Sequence, residues 1–393
     1  MHLTSGSTHA SSPKIWTRAT WLLTALLTAA LPTLAAKPPA VEWTVTLPRA
    51  AKGNSLCQCA DGSYVVTGRT DIGDSVYGNV YLAKVSSSGA LLWEFGCGGP
   101  REDEGCHVEQ TPDGGYVVSG WTSASGAALL LRMNASGRLL WQKTYNGPMP
   151  VTANSVLSRP GGGYLLVCDA EEDYEILLVI TDTSGVETVR HIYGSATSSR
   201  TARGGVLCSD GGYLVAGWTD SVGPSDNVYC AKTDRNGALQ WQKVYGGADG
   251  DKAYAVVAAP DGGYALAGCT ASRGNGSSDF YLLKVNSQGT YLWSRTYGAP
   301  DEDVAYSICR TTDRGYVLAG VSGHGPAKPH VVRTNSNGSV VWTKTFEGSG
   351  GHSWATAIRQ TQDGGYIITG PRYGARAELF LTKLAPERKS KVK

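Results

Sequence analysis

Asp261-Gly-Gly-Tyr264-Ala-Leu-Ala-Gly268, a tight-turn triplet followed by a tyrosine and a short apolar run, is one of seven copies of a single phrase in this chain. The copies place their tyrosines at Tyr64, Tyr116, Tyr164, Tyr213, Tyr264, Tyr316 and Tyr366, at steps of 52, 48, 49, 51, 52 and 50 residues. Regular self-similarity on this scale marks a solenoid, an array or a propeller. A second mark, an apolar pair and then Trp-x-Lys-x-Tyr or a close variant, falls at Trp93, Trp141, Trp241, Trp293 and Trp342, with Val189 in that place in the third repeat. Each follows a Gly-containing turn such as Asn286-Ser-Gln-Gly289. Read with period two, the fifth copy gives four strands: Ala253-Tyr-Ala-Val-Val257, Tyr264 to Gly268, Asp279 to Lys284 and Tyr291 to Tyr297. A four-stranded sheet has two apolar faces and cannot bury both alone, so the copies must pack face to face. The expectation is an all-β, seven-bladed β-propeller of four-stranded antiparallel blades over residues 37–385.

Seven tyrosine strands but only six internal outer-strand marks leave one blade short, and the missing copy, Val41-Glu-Trp43-Thr-Val-Thr, lies at the other end of the chain. The N-terminal strand is therefore expected to complete the last blade. Composition agrees with this architecture: 393 residues with 51 Gly, 17 Pro, 20 Tyr and 11 Trp against 4 Phe and 3 Met suit many short strands and tight turns, not helical bundles. A hydrophobic fraction of 41% is enough for a packed core. Lys and Arg total 35 against 33 acids, so bulk charge gives no hold on nucleic acid.

Lys14 and Arg18 precede an apolar stretch, Trp21 to Leu34, that ends in Ala35-Ala36. This layout is that of an export signal over residues 1–36, with a retained signal-anchor as the alternative. Pro32 and a length of about 14 residues make it short for a membrane span of ~20. The mature chain is expected outside the cytoplasm as a monomer without a membrane span. Residues 386–393, with Arg388-Lys-Ser-Lys-Val-Lys393, read as a basic disordered tail.

The phrase Trp241-Gln-Lys-Val-Tyr-Gly-Gly247, then Asp251-Lys-Ala253, then Asp261-Gly-Gly-Tyr264, resembles the repeats of secreted bacterial and archaeal β-propeller proteins of mostly unassigned function. The resemblance covers residues 41 to 385 and implies fold, not chemistry. Gly137-Arg-Leu-Leu-Trp141 is similar to the tryptophan-docking turns of quinoprotein dehydrogenases, a third functional reading, although those enzymes have eight blades and a vicinal Cys pair absent here. Thr111-Pro-Asp113-Gly-Gly115 and its counterparts resemble the Asp-box of sialidases, a structural turn. Kelch repeats share these residue types, but their spacing differs.

In each blade the first-to-second and third-to-fourth turns share one face and are uniform. The other face carries the second-to-third loops and the crossings between blades, which vary, and variable loops on a rigid scaffold are where binding sites are usually built. Asp103, Asp251 and Asp303 lie in those crossings, as ligands for a cation or polar sugar at the channel mouth or as caps of their own turns. His324, His352 and Trp354 lie in neighbouring loops without metal-ligand spacing. No nucleophile elbow or phosphate loop is present, and no cofactor is expected. Nine cysteines leave at least one unpaired, and Cys97 and Cys106, flanking one crossing, are the candidate disulfide. Four strands at ~4.8 Å separate an outer strand from an inner one by ~14 Å, which counts against it. The reading is a secreted, non-catalytic binding or scaffold module that meets a protein or glycan on its variable-loop face. The rival is an extracellular carbohydrate hydrolase or lyase with its acids at the channel mouth.

Overall fold

The computed structural model describes residues 36–70, 78–99, 101–147, 150–170, 175–194, 199–223, 225–323, 325–347 and 351–387. Among them the chain forms seven four-stranded antiparallel sheets arranged as the blades of a ring. The inner strands of blades 1 to 6 are Lys52–Gln58, Asp103–Gln110, Val151–Ser158, Arg200–Leu207, Asp251–Ala258 and Asp303–Arg310. Blade 7 begins with Ala357–Gln360, continues with Tyr366–Tyr373 and Ala377–Leu384, and takes Val41–Leu47 as its outermost strand. That closing strand runs antiparallel, with Val41 opposite Leu384 and Leu47 opposite Leu379.

The repeated aromatic residues interlock neighbouring blades. Four outer-strand tryptophans pack on the repeat tyrosine of the next blade, with ring centroids 6.0 Å apart for Trp43 and Tyr64, 5.8 Å for Trp93 and Tyr116, 6.1 Å for Trp141 and Tyr164, and 5.6 Å for Trp342 and Tyr366. Trp43, Trp93, Trp141, Trp241 and Trp293 also cover the third-to-fourth turn of the next blade, at Gly89, Gly137, Gly185, Gly289 and Gly338. Gly289 there has φ +73, and a Cβ on it would stand 2.7 Å from the Trp241 ring, so the turn needs glycine both for its backbone and for its neighbour. The tyrosine ending the motif completes the joint: Tyr245 donates to Gly289 O at 2.6 Å and Tyr297 to Gly338 O at 2.6 Å. In blade 3, where Val189 replaces the tryptophan, His191 covers Gly237 instead.

A second recurrent device lies in the third strands. Lys84, Lys232, Lys284 and Lys383 reach the turn aspartates Asp61, Asp210, Asp261 and Asp363 at 2.7 to 2.8 Å, and Arg132 and Arg333 pair with Asp113 and Asp313. The ion pair holds the Asp61 carboxyl down to about 2, chiefly through the Lys84 hydrogen bond. The Thr-x-Asp turns behave as structural turns: Thr111 Oγ1 donates to Asp113 Oδ1 at 2.6 Å.

The first and last described residues meet near blade 6. Ala36 N donates to Val341 O at 2.7 Å, and Ala385 N donates to Ala40 O at 2.9 Å. Glu387 Oε1 accepts from Arg333 Nε and Trp342 Nε1, each at 3.0 Å, and from the Tyr366 hydroxyl. Structured contacts thus run two residues past the expected end of the propeller at 385. Residues 1–35 of the expected signal and 388–393 of the expected tail lie outside the described residues. No helix among the described residues is long and apolar enough to cross a membrane.

Candidate functional site: the channel mouth

Each of the first six inner strands carries one β-bulge, and its place follows from packing. Gly53, Gly105, Ala153, Ala202, Ala253 and Ala305 must be small because a neighbouring blade lies against them; a Cβ on Gly105 would stand 2.3 Å from Thr67 Oγ1. The register shifts immediately after each. A bulged residue is released from the ladder and re-aimed. Here the released residues are Asn54, Cys106, Asn154, Arg203, Tyr254 and Tyr306, and all six line one cavity of about 830 Å³ down the central channel. Thr356 joins them from blade 7.

The cavity has two unlike walls. On blades 1 to 3 it is polar: Glu104 Oε1 accepts from Lys52 Nζ and Asn54 Nδ2, both at 2.6 Å, and Asn154 Nδ2 donates to Ala202 O at 2.8 Å. On blades 4 to 6 it is aromatic and cationic. Tyr254 stands 5.2 Å from Trp218 and 5.2 Å from Tyr306, edge to face with the latter. Arg203 and Lys252 lie over Trp218 at 5.2 and 5.0 Å. Asp226 balances Lys252 at 2.9 Å. Arg203 is exposed, and among the described residues its guanidinium bonds only to Asn154 Oδ1, at 3.3 Å. Burial pushes the Tyr306 phenol up to about 12 and raises Tyr254 as well, so both hydroxyls are protonated donors at neutral pH. Deeper in, burial holds His107 down to about 4, leaving the ring neutral, and burial raises Glu109, whose carboxylate accepts from Ser158 N at 2.8 Å.

The residues singled out from sequence distribute differently. Asp103, Asp251 and Asp303 are buried, at 3%, 1% and 0% exposure, and none lines the cavity. Each reaches back four residues to cap its own crossing, accepting from Gly99 N at 2.8 Å, Gly247 N at 2.7 Å and Ala299 N at 2.9 Å. Asp251 also accepts from Ser272 Oγ at 2.8 Å. His352 is exposed and its Nδ1 accepts from Ala327 N at 3.2 Å, while His324 lies outside the described residues. Trp354 does line the cavity, with its ring 5.1 Å from that of Tyr373. Among the described residues no cluster of three or more His, Cys, Asp or Glu side chains could hold a metal.

The Cys97–Cys106 bridge does not form, and all nine thiols are free. The reason is the one that counted against it: Cys97 ends the outer strand of blade 1, where its Sγ faces Gln142 Oε1 at 3.4 Å, whereas Cys106 is a bulge residue on the channel. The bulge ring itself was missed by sequence reasoning. Its signal is the residue after the Gly or Ala near the start of each inner strand, a position whose chemistry changes from blade to blade while that preceding residue stays small.

A seven-bladed β-propeller with a lined central channel is the class that fold and site define. No protein-family model and no curated protein matches the chain. Among solved structures it is similar to YCF48 from Cyanidioschyzon merolae, with 11% identity over 89% of this chain and 100% of that one and a TM-score of 0.55. It is similar also to Sqt1 from Chaetomium thermophilum, with 12% identity over 85% and 83% of the two chains and a TM-score of 0.51. Puromycin hydrolase matches with 11% identity over 92% of this chain but 58% of its own, at a TM-score of 0.55. At these identities the likeness is one of fold alone.

Proposed function

We infer that the protein is an exported, monomeric, non-catalytic binding module that takes its ligand at the mouth of the central channel. The observation that carries this reading is the bulge ring: the scaffold residues repeat, and the one position per blade freed from the scaffold varies and faces a cavity of about 830 Å³. That volume suits a ligand of a few rings. Glu104 supports binding over catalysis, because its Oε1 is held by Lys52 and Asn54. A second reading, a carbohydrate hydrolase or lyase, draws on Glu109, a carboxyl in the same cavity whose pKa burial raises, as a general acid requires.

A glycan and peptide array probed with the full chain and with the Tyr254→Ala/Tyr306→Ala variant tests the reading. The expected result is a bound ligand that the folded variant loses. Ligands held equally by both proteins would place binding elsewhere, and new reducing ends or unsaturated sugars in the bound glycan would favour the enzyme.

A further inference from the structure

We propose that the ligand of this channel is an acidic oligosaccharide whose uronate carboxylate is held by Arg203 while its sugar rings lie against Tyr306 and Tyr254. The proposal rests on the reading of the channel mouth as a binding site and adds the chemistry of what enters it.

Three observations converge on that chemistry. First, Arg203 is an exposed cation with no carboxylate partner among the described residues, unlike Lys252, which shares the Trp218 ring with it and is paired to Asp226. Its hold on Trp218 fixes the planar guanidinium, and such a fork matches a carboxylate with two parallel hydrogen bonds. Second, the Tyr254 and Tyr306 hydroxyls have no hydrogen-bond partner among the described residues, and burial keeps both protonated. They are free donors on aromatic rings that line the cavity, which suits a ring presenting C–H groups on one side and hydroxyls at its edge. Third, the wall on blades 1 to 3 is polar, built of Asn54, Asn154 and Glu104 side chains tied by hydrogen bonds to Lys52, to the backbone and to Arg203, not an apolar pocket. A ligand apolar on one face, polar on the other and negatively charged at one point satisfies all three.

Calorimetric titration of the full chain with oligomers of galacturonate, glucuronate, mannuronate and guluronate, each beside its carboxyl-reduced counterpart, tests the proposal. At least one acidic oligomer should bind, with its reduced form at least about tenfold weaker. Arg203→Gln, a change at an exposed position, should leave the melting temperature unchanged and remove that difference. Equal binding of acidic and reduced forms, or an acidic preference that survives Arg203→Gln, overturns the proposal. In either case loss of binding in Tyr254→Ala/Tyr306→Ala keeps the channel as the binding site, and retained binding there sinks both readings. If no oligouronate binds, the acidic-sugar proposal is wrong, and the array alone decides the channel reading.

Discussion

Asp251 and Asp303 each do a local job with a buried carboxylate. A crossing between blades must turn sharply from an outer strand to an inner one, which leaves Gly247 N and Ala299 N without a strand partner, and the aspartate four residues on accepts from each. Removing both with Asp251→Ala/Asp303→Ala takes the acceptor from Gly247 N, Ala299 N and Ser272 Oγ, and because the two backbone donors lie in exposed residues that water can reach, the loss is about 0.5–1.5 kcal/mol per site. Urea unfolding should show that loss, and calorimetry should show ligand affinity unchanged, since neither residue lines the channel; an affinity loss with stability intact would return them to the site. Spacing could locate these acids in the crossings but could not orient them. Whether a loop carboxylate faces its own backbone or the channel is set by the path of four residues, which a pattern of residue types does not encode. Trp354 is the converse case, a loop aromatic that does face the cavity.

At the scale of a strand and its turn, the sequence is most informative where one physical constraint repeats. Tyr264, Gly289 and the Trp241 motif recur because each touches the same feature of an adjacent blade, so the period exposes the joint before any coordinates do. The bulges were hidden for the opposite reason. A bulge adds one residue to a strand without altering the tyrosine and tryptophan marks around it, and Asn154, Arg203 and Tyr254 have no residue type in common. The joint yields a paired test. Gly211 and Gly289 both have positive φ, +81 and +73, but a Cβ on Gly211 meets nothing within 4 Å whereas one on Gly289 meets Trp241 at 2.7 Å. Gly211→Ala should lose only the left-handed backbone term, ~1–2 kcal/mol. Gly289→Ala should lose a further ~1–3 kcal/mol from overpacking. Equal losses in denaturant titrations would show that the tryptophan yields freely and that the interlock adds little.

For the whole molecule the decisive feature is closure, legible from the one displaced motif at Trp43; the Glu387 contacts were not, because a lone glutamate beyond the last repeat carries no pattern. Glu387→Ala should leave the ring closed but lower stability by about 1–3 kcal/mol, since buried Arg333 and Trp342 lose a shared acceptor. Deleting residues 37–48 should do more, exposing Leu379–Lys383 as an apolar edge that promotes association. Size-exclusion chromatography with light scattering separates the two outcomes, and a deletion that stays monomeric at an unchanged melting temperature would deny the strand its closing role.

The direction of that closing strand also decides how the molecule answers to force. Val41 faces Leu384 and Leu47 faces Leu379, so the two chain ends leave the strand pair from the same side. Tension applied between them, as on a protein tethered at both termini, is not shared across the whole ladder but falls on one pair of residues at a time. The contacts of Ala36 and Glu387 take the load first, then the ladder parts from Val41 inward like a zipper. The other six blades, held behind it in series, feel almost none of the pull until the clasp is open.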